Sequence, residues 1–180
     1  MIFEQFYLEC LSHASYLVGD TSTGTAVVVD PQRDIQQYLD RAQELGLTIA
    51  YVLETHFHAD FLSGHLELAN ATGATICFGA EARPQFPARL LEDNERLVLG
   101  EVVIETRLTP GHTPESTSYV VYEHAGDTVP YGVLTGDTLF IGDVGRPDLL
   151  VSVGKTADEL AHLLFASIQN KLLTLPDPTR

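Results

Sequence analysis

The sequence has 180 residues, 44% of them hydrophobic, and carries a formal net charge of −15 at pH 7. This length and composition are typical of one globular domain with its own core, and they exclude a disordered chain. The excess of acidic residues argues against binding to nucleic acids and to anionic membranes, since both interactions depend on Lys and Arg.

Strand and helix patterns alternate along the first half of the chain. Strands are predicted at residues 2–9, 15–18, 25–29, 48–54 and 74–78. Helices are predicted over residues 34–45 and 62–72, and a glycine follows each of them. In the second helix we expect Leu62, Leu66 and Ala69 to form the apolar stripe, with His65 away from it.

The second half continues the alternation after an irregular segment. Prolines and scattered charges over residues 79–93 indicate a loop or a short helix lying over the functional site. Strands are predicted at residues 95–99, 101–108, 117–122, 131–135 and 139–142, and a last helix over 156–173. Strand clusters that alternate with helices in this way are typical of an α/β or α+β domain.

The N-terminus and the cysteines indicate an intracellular protein. The first residues include Glu4 among alternating aromatic residues, which is unlike a signal peptide. No run approaches the roughly 18 apolar residues of a membrane span. Two cysteines, Cys10 and Cys77, are too few for a disulfide framework. We therefore expect a reducing bacterial-type cytoplasm, with a mitochondrial matrix as the alternative if a transit peptide has been removed.

The motif Thr55-His56-Phe57-His58-Ala59-Asp60 lies between a predicted strand and a predicted helix. Two histidines at positions i and i+2 and a carboxylate at i+4 on such a turn direct several donor groups at one point. Metal ions require this convergence, because several ligand atoms must replace water at about 2.0–2.2 Å. A polar loop with two chance histidines is the alternative for this hexapeptide alone.

Two further motifs follow downstream. Residues 109–114 (Thr-Pro-Gly-His-Thr-Pro) form a predicted tight turn with His112, and residues 134–140 form a strand that ends in Gly136-Asp137. Together the three motifs resemble the metallo-β-lactamase superfamily. His56, His58 and Asp60 match its H-x-H-x-D-H signature, His112 its G-H-T motif and Asp137 its G-D motif.

The resemblance implies an α/β (α+β) fold, a four-layer αβ/βα sandwich, with residues 1–180 as one domain. In such a fold Asp30 supports the metal-binding loop from behind. The alternative for Asp30 is a plain turn aspartate before Pro31. Members of the superfamily usually continue with another strand and a histidine-bearing turn, so we expect this chain to lack a C-terminal closing segment.

Phe61 departs from the superfamily signature, which has histidine at this position. In two-metal members that histidine holds a second ion together with the neighbouring aspartate. A phenylalanine ring has no lone pair to donate to a metal. We therefore expect one metal ion per chain.

A closer resemblance is to the persulfide dioxygenases. It rests on residues 55–65, on residues 135–149 and on the opening run 6–17, which is similar to the bacterial branch that often carries rhodanese domains. It implies one Fe(II) held by His56, His112 and Asp137, with His58 and Asp60 beside the iron but not bound to it. It also implies that O2 oxidises a small persulfide, usually glutathione persulfide, to sulfite and thiol.

The ligand types alone do not decide the metal. Two imidazoles and one carboxylate on one side of an ion suit non-haem Fe(II), and zinc accepts the same ligands. Arg146 is the predicted substrate cation, because its guanidinium can fork onto a carboxylate from a loop that contains Gly142 and Gly145. An ion pair of Arg146 with Asp143 or Asp148 is the equally weighted alternative.

Two other functions stay open at this stage. One is a thioester hydrolase similar to glyoxalase II that uses zinc, and Phe61 counts against it. The other is a metal-binding module without catalysis. The resemblance further implies a rhodanese domain beyond Arg180 and a homodimer as partners.

Overall fold

The computed structural model describes residues 1–148 and 154–180, so Leu149, the last residue of the third motif region, lies outside the described residues. The helices are α1 (Gln36–Glu44), α2 (His65–Thr72) and α3 (Ala157–Ser167). The strands are β1 (Ile2–Leu8), β2 (His13–Asp20), β3 (Thr25–Val29), β4 (Thr48–Leu53), β5 (Thr75–Gly79), β6 (Arg89–Leu91), β7 (Arg96–Val98), β8 (Val103–Leu108), β9 (Thr117–Tyr122), β10 (Gly132–Leu134), β11 (Leu139–Phe140) and β12 (Asp143–Val144).

Two sheets and a small hairpin contain these strands. The first sheet has the order β1-β2-β3-β4-β5-β6, antiparallel as far as β3 and parallel from β3 to β6. The second sheet is antiparallel with the order β10-β9-β8-β7. Strands β11 and β12 pair as a separate hairpin. The carboxyl ends of the parallel strands meet at one edge, which is where the first motif begins.

The core lies between the two sheets and on the outer face of the first one. Val27 and Val29 of β3 belong to the cluster between the sheets, while Val28 belongs to the outer cluster with Tyr38 of α1 and Leu68 of α2. The run of three valines is therefore buried on both faces, as its β-branched composition predicts. Two sheets packed face to face with helices outside confirm the predicted fold class.

Cys77 lies in the cluster between the sheets and has no exposed surface. Burial raises the pKa of its thiol to about 12, so it remains protonated at neutral pH. As the sequence predicts, this cysteine behaves as a small buried hydrophobic residue.

The prediction for the second helix was wrong in two respects. Helix α2 begins at His65, and Leu62 and Leu66 are 67% and 42% exposed, whereas Leu68 is the fully buried residue. The backbone at Gly64 explains the late start. Its N–H donates to the Pro31 carbonyl, and a Cβ on Gly64 would lie 2.4 Å from the Gln32 carbonyl oxygen, so the preceding residues follow that loop.

Two later predictions also require correction. Residues 79–93 do not form a cover over the functional site, since β6 within them extends the first sheet and buries Leu91. The predicted helix over 156–173 ends as α-helix at Ser167 and continues as one π-helical segment, Ile168–Leu172. Its start is fixed by a reciprocal capping box between Thr156 and Glu159.

The last helix packs directly on the turn that carries His112. Ser167 Oγ donates a hydrogen bond of 2.8 Å to the Pro110 carbonyl, and a Cβ on Gly111 would lie 2.4 Å from Leu164 Cα.

The edge of β10 is partly paired, because the Val133 N–H donates to the Arg180 carbonyl at 2.9 Å. None of the helices within the described ranges combines the length and the apolar character needed to cross a bilayer.

Candidate metal centre

Three side chains from separate parts of the fold converge at one edge of the sheets. His56 follows β4, His112 lies in the loop between β8 and β9, and Asp137 lies in the 3-10 turn after β10. Their candidate ligand atoms all lie within 4.8 Å of one another. Asp137 Oδ2 is 3.4 Å from His112 Nε2 and 4.0 Å from His56 Nε2. Donors bound to one ion at about 2.1 Å lie roughly 3–3.5 Å apart, so this set fits a divalent metal with little movement.

Thr55 fixes the orientation of the His56 ring. Its hydroxyl donates to Asp30 Oδ2 at 2.8 Å and accepts from His56 Nδ1 at 3.0 Å, while its N–H donates to Asp30 Oδ1 at 2.7 Å. A proton on Nδ1 leaves the lone pair on Nε2, which faces the other two donors. Burial, with the neighbouring His58, lowers the pKa of His56 to about 3, so the ring is neutral at physiological pH. The structure therefore places Asp30 behind the metal-binding loop.

The His112 ring is oriented by the main chain of another loop. Its Nδ1 lies 3.0 Å from the Arg146 carbonyl oxygen, which accepts the ring proton and leaves Nε2 free to bind a metal. This contact depends on Gly145, because a Cβ at that position would lie 1.7 Å from the Asp137 carbonyl oxygen. The loop after β12 thus touches two of the three donors.

Asp137 is the most accessible member of the triad, with a side chain that is 39% exposed. Partial burial raises the pKa of its carboxyl, and the nearby His112 opposes that shift. A bound divalent cation would favour the ionised form, since its charge exceeds that of any neighbouring group. Gly136 precedes it with a φ of 49°, and Thr55 leaves no room there for a side chain. The donor set therefore fits a metal bound from one side.

A second group of ionisable residues lies behind the triad and includes Glu54, which the sequence reasoning missed. Asp30, Glu54 and His58 also place candidate ligand atoms within 4.8 Å of one another. His58 Nε2 lies 3.1 Å from Asp30 Oδ1 and 3.5 Å from Glu54 Oε2. The Ser63 hydroxyl donates to Glu54 Oε1 at 2.7 Å. One sequence signal was present, since Glu54 is a charged residue at the end of an apolar strand.

The charges in this second group compensate one another. Burial alone would lower the pKa of His58, but the Asp30 and Glu54 carboxyl groups raise it to about 9. Burial and the negative charge of Asp30 raise the pKa of Glu54 to about 8, whereas the pKa of Asp30 itself is held low by His58. At neutral pH the group thus pairs an imidazolium with the Asp30 carboxylate, beside a protonated Glu54.

Aromatic rings fill the space where a second metal ligand would stand. The Phe61 ring lies 4.4 Å from the ring of His58 and 3.9 Å from that of His13, measured between centroids. His13 is buried, and its nitrogens have no hydrogen-bond partner in the described part of the chain. Asp60, the other predicted neighbour of the metal, is exposed and lines the cavity described next.

A cavity of about 800 Å³ reaches from the surface to Asp137 of the triad and also to Asp30 and His58 of the second group. Its walls include Tyr7, His13, Tyr16, Asp60, Asp137 and Phe140. Arg146 lies elsewhere, because its guanidinium forms a two-fold hydrogen bond with Asp148 at 2.7 and 2.9 Å. Its contribution to the site is its main-chain carbonyl. Among the described residues, Arg180 is the one Arg or Lys that lines the cavity.

Comparison with known proteins places this geometry in a family. The family model described as metallo-beta-lactamase superfamily matches residues 8–179. The chain belongs to the metallo-β-lactamase superfamily. The resemblance predicted from the three motifs is therefore confirmed, and the second half of the fold belongs to the same match.

Individual relatives of this superfamily member include proteins named for different activities. The mitochondrial persulfide dioxygenase ETHE1 of Homo sapiens is 32% identical over 168 residues, covering 90% of this chain and 59% of the relative. The cytoplasmic hydroxyacylglutathione hydrolase of Arabidopsis thaliana is 30% identical over 178 residues, covering 97% of this chain and 64% of the relative.

Solved structures give the same picture of the fold. A metallo-beta-lactamase from Staphylococcus aureus has a TM-score of 0.90 and 40% identity, covering 99% of this chain and 54% of that one. ETHE1 from Myxococcus xanthus has a TM-score of 0.84 and 31% identity, covering 99% and 73%. The chain therefore spans only part of the length of these proteins.

Proposed function

We propose that this metallo-β-lactamase superfamily member is an iron-dependent persulfide dioxygenase. In this reaction a small thiol persulfide, O2 and water give the thiol, sulfite and two protons. The terminal sulfur loses four electrons and O2 accepts them. The observation that carries the proposal is the ligand geometry, in which two imidazoles and one carboxylate converge while His58 is turned away from them. Two relatives named ETHE1 support the same assignment.

The residues of the chain bind the ion on one side and leave its cavity side open. His56, His112 and Asp137 would hold it, and Thr55 and the Arg146 carbonyl fix the two rings. When bound, Fe(II) would supply open coordination positions together with redox capacity. Zinc lacks the redox capacity. The cavity admits a thiol-sized substrate beside Asp137, where the reactants are held close together. No nucleophilic side chain is needed, and Cys77 is sealed in the core.

A zinc-dependent thioester hydrolase is the second candidate, and the Arabidopsis relative favours it. Hydrolases of this type use a hydroxide held between two metal ions, so they need the ligand that Phe61 replaces. The Phe61 ring packs against His58 and His13 and offers no donor atom. The single-metal dioxygenase is therefore the better match to the described residues.

Oxygen consumption separates these functions. Purified protein reconstituted anaerobically with Fe(II) is mixed with glutathione persulfide, the carrier implied by the sequence resemblance, and O2 uptake and sulfite are measured. We expect one sulfite for each O2 consumed, and no activity after zinc replaces iron. His112→Ala is expected to lose both iron and activity while its circular dichroism spectrum is retained, because it removes one of three ligands.

Other outcomes would point to the alternatives. Cleavage of S-lactoylglutathione without O2 consumption would identify the hydrolase. Metal binding without turnover of either substrate would favour the non-catalytic module. The rhodanese domain beyond Arg180 and the homodimer stay predictions, and neither is needed for the assay.

A further inference from the structure

Glu54 occupies a position at which burial of a carboxyl group is energetically unfavourable. It is 1% exposed at the end of β4, and its side chain faces three other ionisable residues, Asp30, His58 and His65, the last with Nδ1 3.6 Å from Glu54 Oε1. Burying a carboxyl group away from water is unfavourable unless it is paired and hydrogen-bonded. The Ser63 hydroxyl, which donates to Glu54 Oε1 at 2.7 Å, fixes the carboxyl group in place. Such a residue calls for a role beyond packing.

His58 occupies a place from which it can reach the metal. Its ring centroid lies 4.1 Å from that of His56, a triad member, in the same strand-to-helix loop. Its Nε2 nevertheless lies 3.1 Å from Asp30 Oδ1 and 3.5 Å from Glu54 Oε2, as close polar contacts without hydrogen-bond geometry. These contacts group the nitrogen with the two carboxyl groups and not with the three donors of the triad. As long as these two contacts persist, Nε2 of His58 is not a ligand.

Asp30 also accepts hydrogen bonds from Thr55, so its contact with His58 is not its only interaction. Its Oδ1 also accepts the Thr55 N–H at 2.7 Å, and its Oδ2 accepts the Thr55 hydroxyl at 2.8 Å. Glu54 Oε2 has no other partner among the described side chains and approaches His58 from the neighbouring strand end. The two carboxyl groups thus flank the same imidazole nitrogen.

We propose that Glu54 is a positioning residue that, together with Asp30, holds His58 outside the coordination sphere of the metal. The ion then keeps three protein ligands instead of four and has one more open position for exchangeable ligands. This inference rests on the proposed function only for the use of that position by O2 and persulfide. The ligand count itself applies to any divalent ion in the site.

The test is a double-mutant cycle on metal binding, without persulfide or O2. Co(II) affinity is measured by chelator competition, and ligand number by the visible absorption of bound Co(II), for wild type, His58→Ala, Glu54→Leu and the double variant. We expect His58→Ala to match wild type within about twofold and Glu54→Leu to bind about tenfold tighter, the scale of effects from residues around a metal site. The double variant should return to the wild-type affinity and spectrum.

Glu54→Gln is the matched control, because the amide keeps the shape and still accepts from Ser63. It is expected to bind Co(II) as wild type does. Apo-protein circular dichroism and thermal unfolding confirm that each variant folds. If Glu54→Leu does not fold, Glu54→Ala takes its place in the cycle, with the same results expected and the same results contradicting the proposal.

Three results would overturn the proposal. A loss of about tenfold or more in His58→Ala would mean that His58 already binds the metal, on the scale expected for ligands and their supporting residues. An unchanged affinity and spectrum in folded Glu54→Leu would mean that Glu54 does not hold His58. A second equivalent of Co(II) in wild type that disappears in Glu54→Gln would make the cluster itself a metal site. Sulfite production from persulfide is measured separately, so the proposed activity stands or falls independently.

Discussion

Thr55 joins Asp30 to His56 through a single hydroxyl group, which donates to one and accepts from the other. Thr55→Val keeps the size of the side chain but removes the hydroxyl partner of Asp30 Oδ2 and of His56 Nδ1. We expect its metal affinity to fall by about 10–100-fold, the usual effect of losing a partner of a ligand. Chelator competition with Fe(II) or Co(II) measures this, and Thr55→Ser should restore most of the affinity. Equal affinities of the valine variant and wild type would contradict the role of the hydroxyl.

At the scale of residues, the sequence predicts donors better than it predicts their supports. His56, His112 and Asp137 each follow a recognisable strand, so their convergence could be expected from the motifs. The contact of Glu54 with His58 depends on side-chain direction at a strand end, which no periodicity specifies. Arg146 was predicted either to bind substrate or to pair with Asp143 or Asp148; its guanidinium pairs with Asp148, and its carbonyl contacts His112. Because every residue has a main-chain carbonyl, the residue type does not reveal such a contact.

The loop that follows β12 is an element whose position depends on the absence of a side chain. A Cβ on Gly145 would lie 1.7 Å from the Asp137 carbonyl oxygen and 3.1 Å from His112 Cβ. Gly145→Ala is therefore expected to displace two donors and lower metal affinity by about tenfold or more. The control is Gly142→Ala, which meets no atom within 4 Å and bears only the cost of a φ of 83°, about 1–2 kcal/mol. A wild-type affinity in Gly145→Ala would show that the loop can retreat without cost.

The turn between β2 and β3 ties the two sheets together through Asp20. Its carboxylate accepts from Ser22 N at 2.7 Å and from Val102 N, in the other sheet's connection, at 2.8 Å. Burial alone would raise the pKa of Asp20, but the Ser22 hydroxyl, together with the N–H groups of Val102 and Ser22, donates to the carboxylate and lowers its pKa to about 2 from 3.8. A carboxyl group whose pKa is depressed on folding stabilises the protein above its unfolded pKa, and this contribution is lost as the pH falls toward 2.

Asp20→Asn is accordingly expected to lower the free energy of unfolding by about 2 kcal/mol at pH 6, and by about half as much at pH 3. Urea denaturation at the two pH values measures the difference. Asp40→Asn, on the exposed face of α1, is the control and should leave stability nearly unchanged at both. An equal loss of unfolding free energy at pH 3 and at pH 6 would show that the shape of Asp20, and not its charge, stabilises the protein.

At the scale of elements, strands were predicted more accurately than helix starts. The bounds of β3 and β9 match the prediction, because β-branched and aromatic residues between turn formers define them. The start of α2 was wrong because the Gly64 backbone is captured by the Pro31 loop, a contact between segments distant in sequence. Strand β6 was missed for a similar reason, since its three residues are strand only through pairing with β5.

The whole molecule carries a net charge of −15, and its cavity wall contains Asp30, Asp60, Asp137 and Asp177 but only one Arg or Lys among the described residues, Arg180. An anionic persulfide, the proposed substrate, would therefore approach against a repulsive field, which salt screens over about 10 Å at 0.1 M. We expect kcat/KM for glutathione persulfide to rise about twofold or more between 10 and 200 mM NaCl, on the basis of such screening. The KM for O2, a neutral molecule, is the internal control and should not change. A fall in kcat/KM with salt would instead indicate a local cationic anchor.

The location of the two cysteines has a consequence under the proposed persulfide activity. Persulfides transfer their outer sulfur atom to accessible thiolates, giving a new persulfide and releasing the donor thiol. Cys77 is enclosed between the sheets, so it is protected from this exchange as long as the fold is intact, whereas Cys10 is exposed. Under the proposed activity, modification by the substrate would thus be confined to Cys10 on the surface, and the thiol between the two sheets would not react with it.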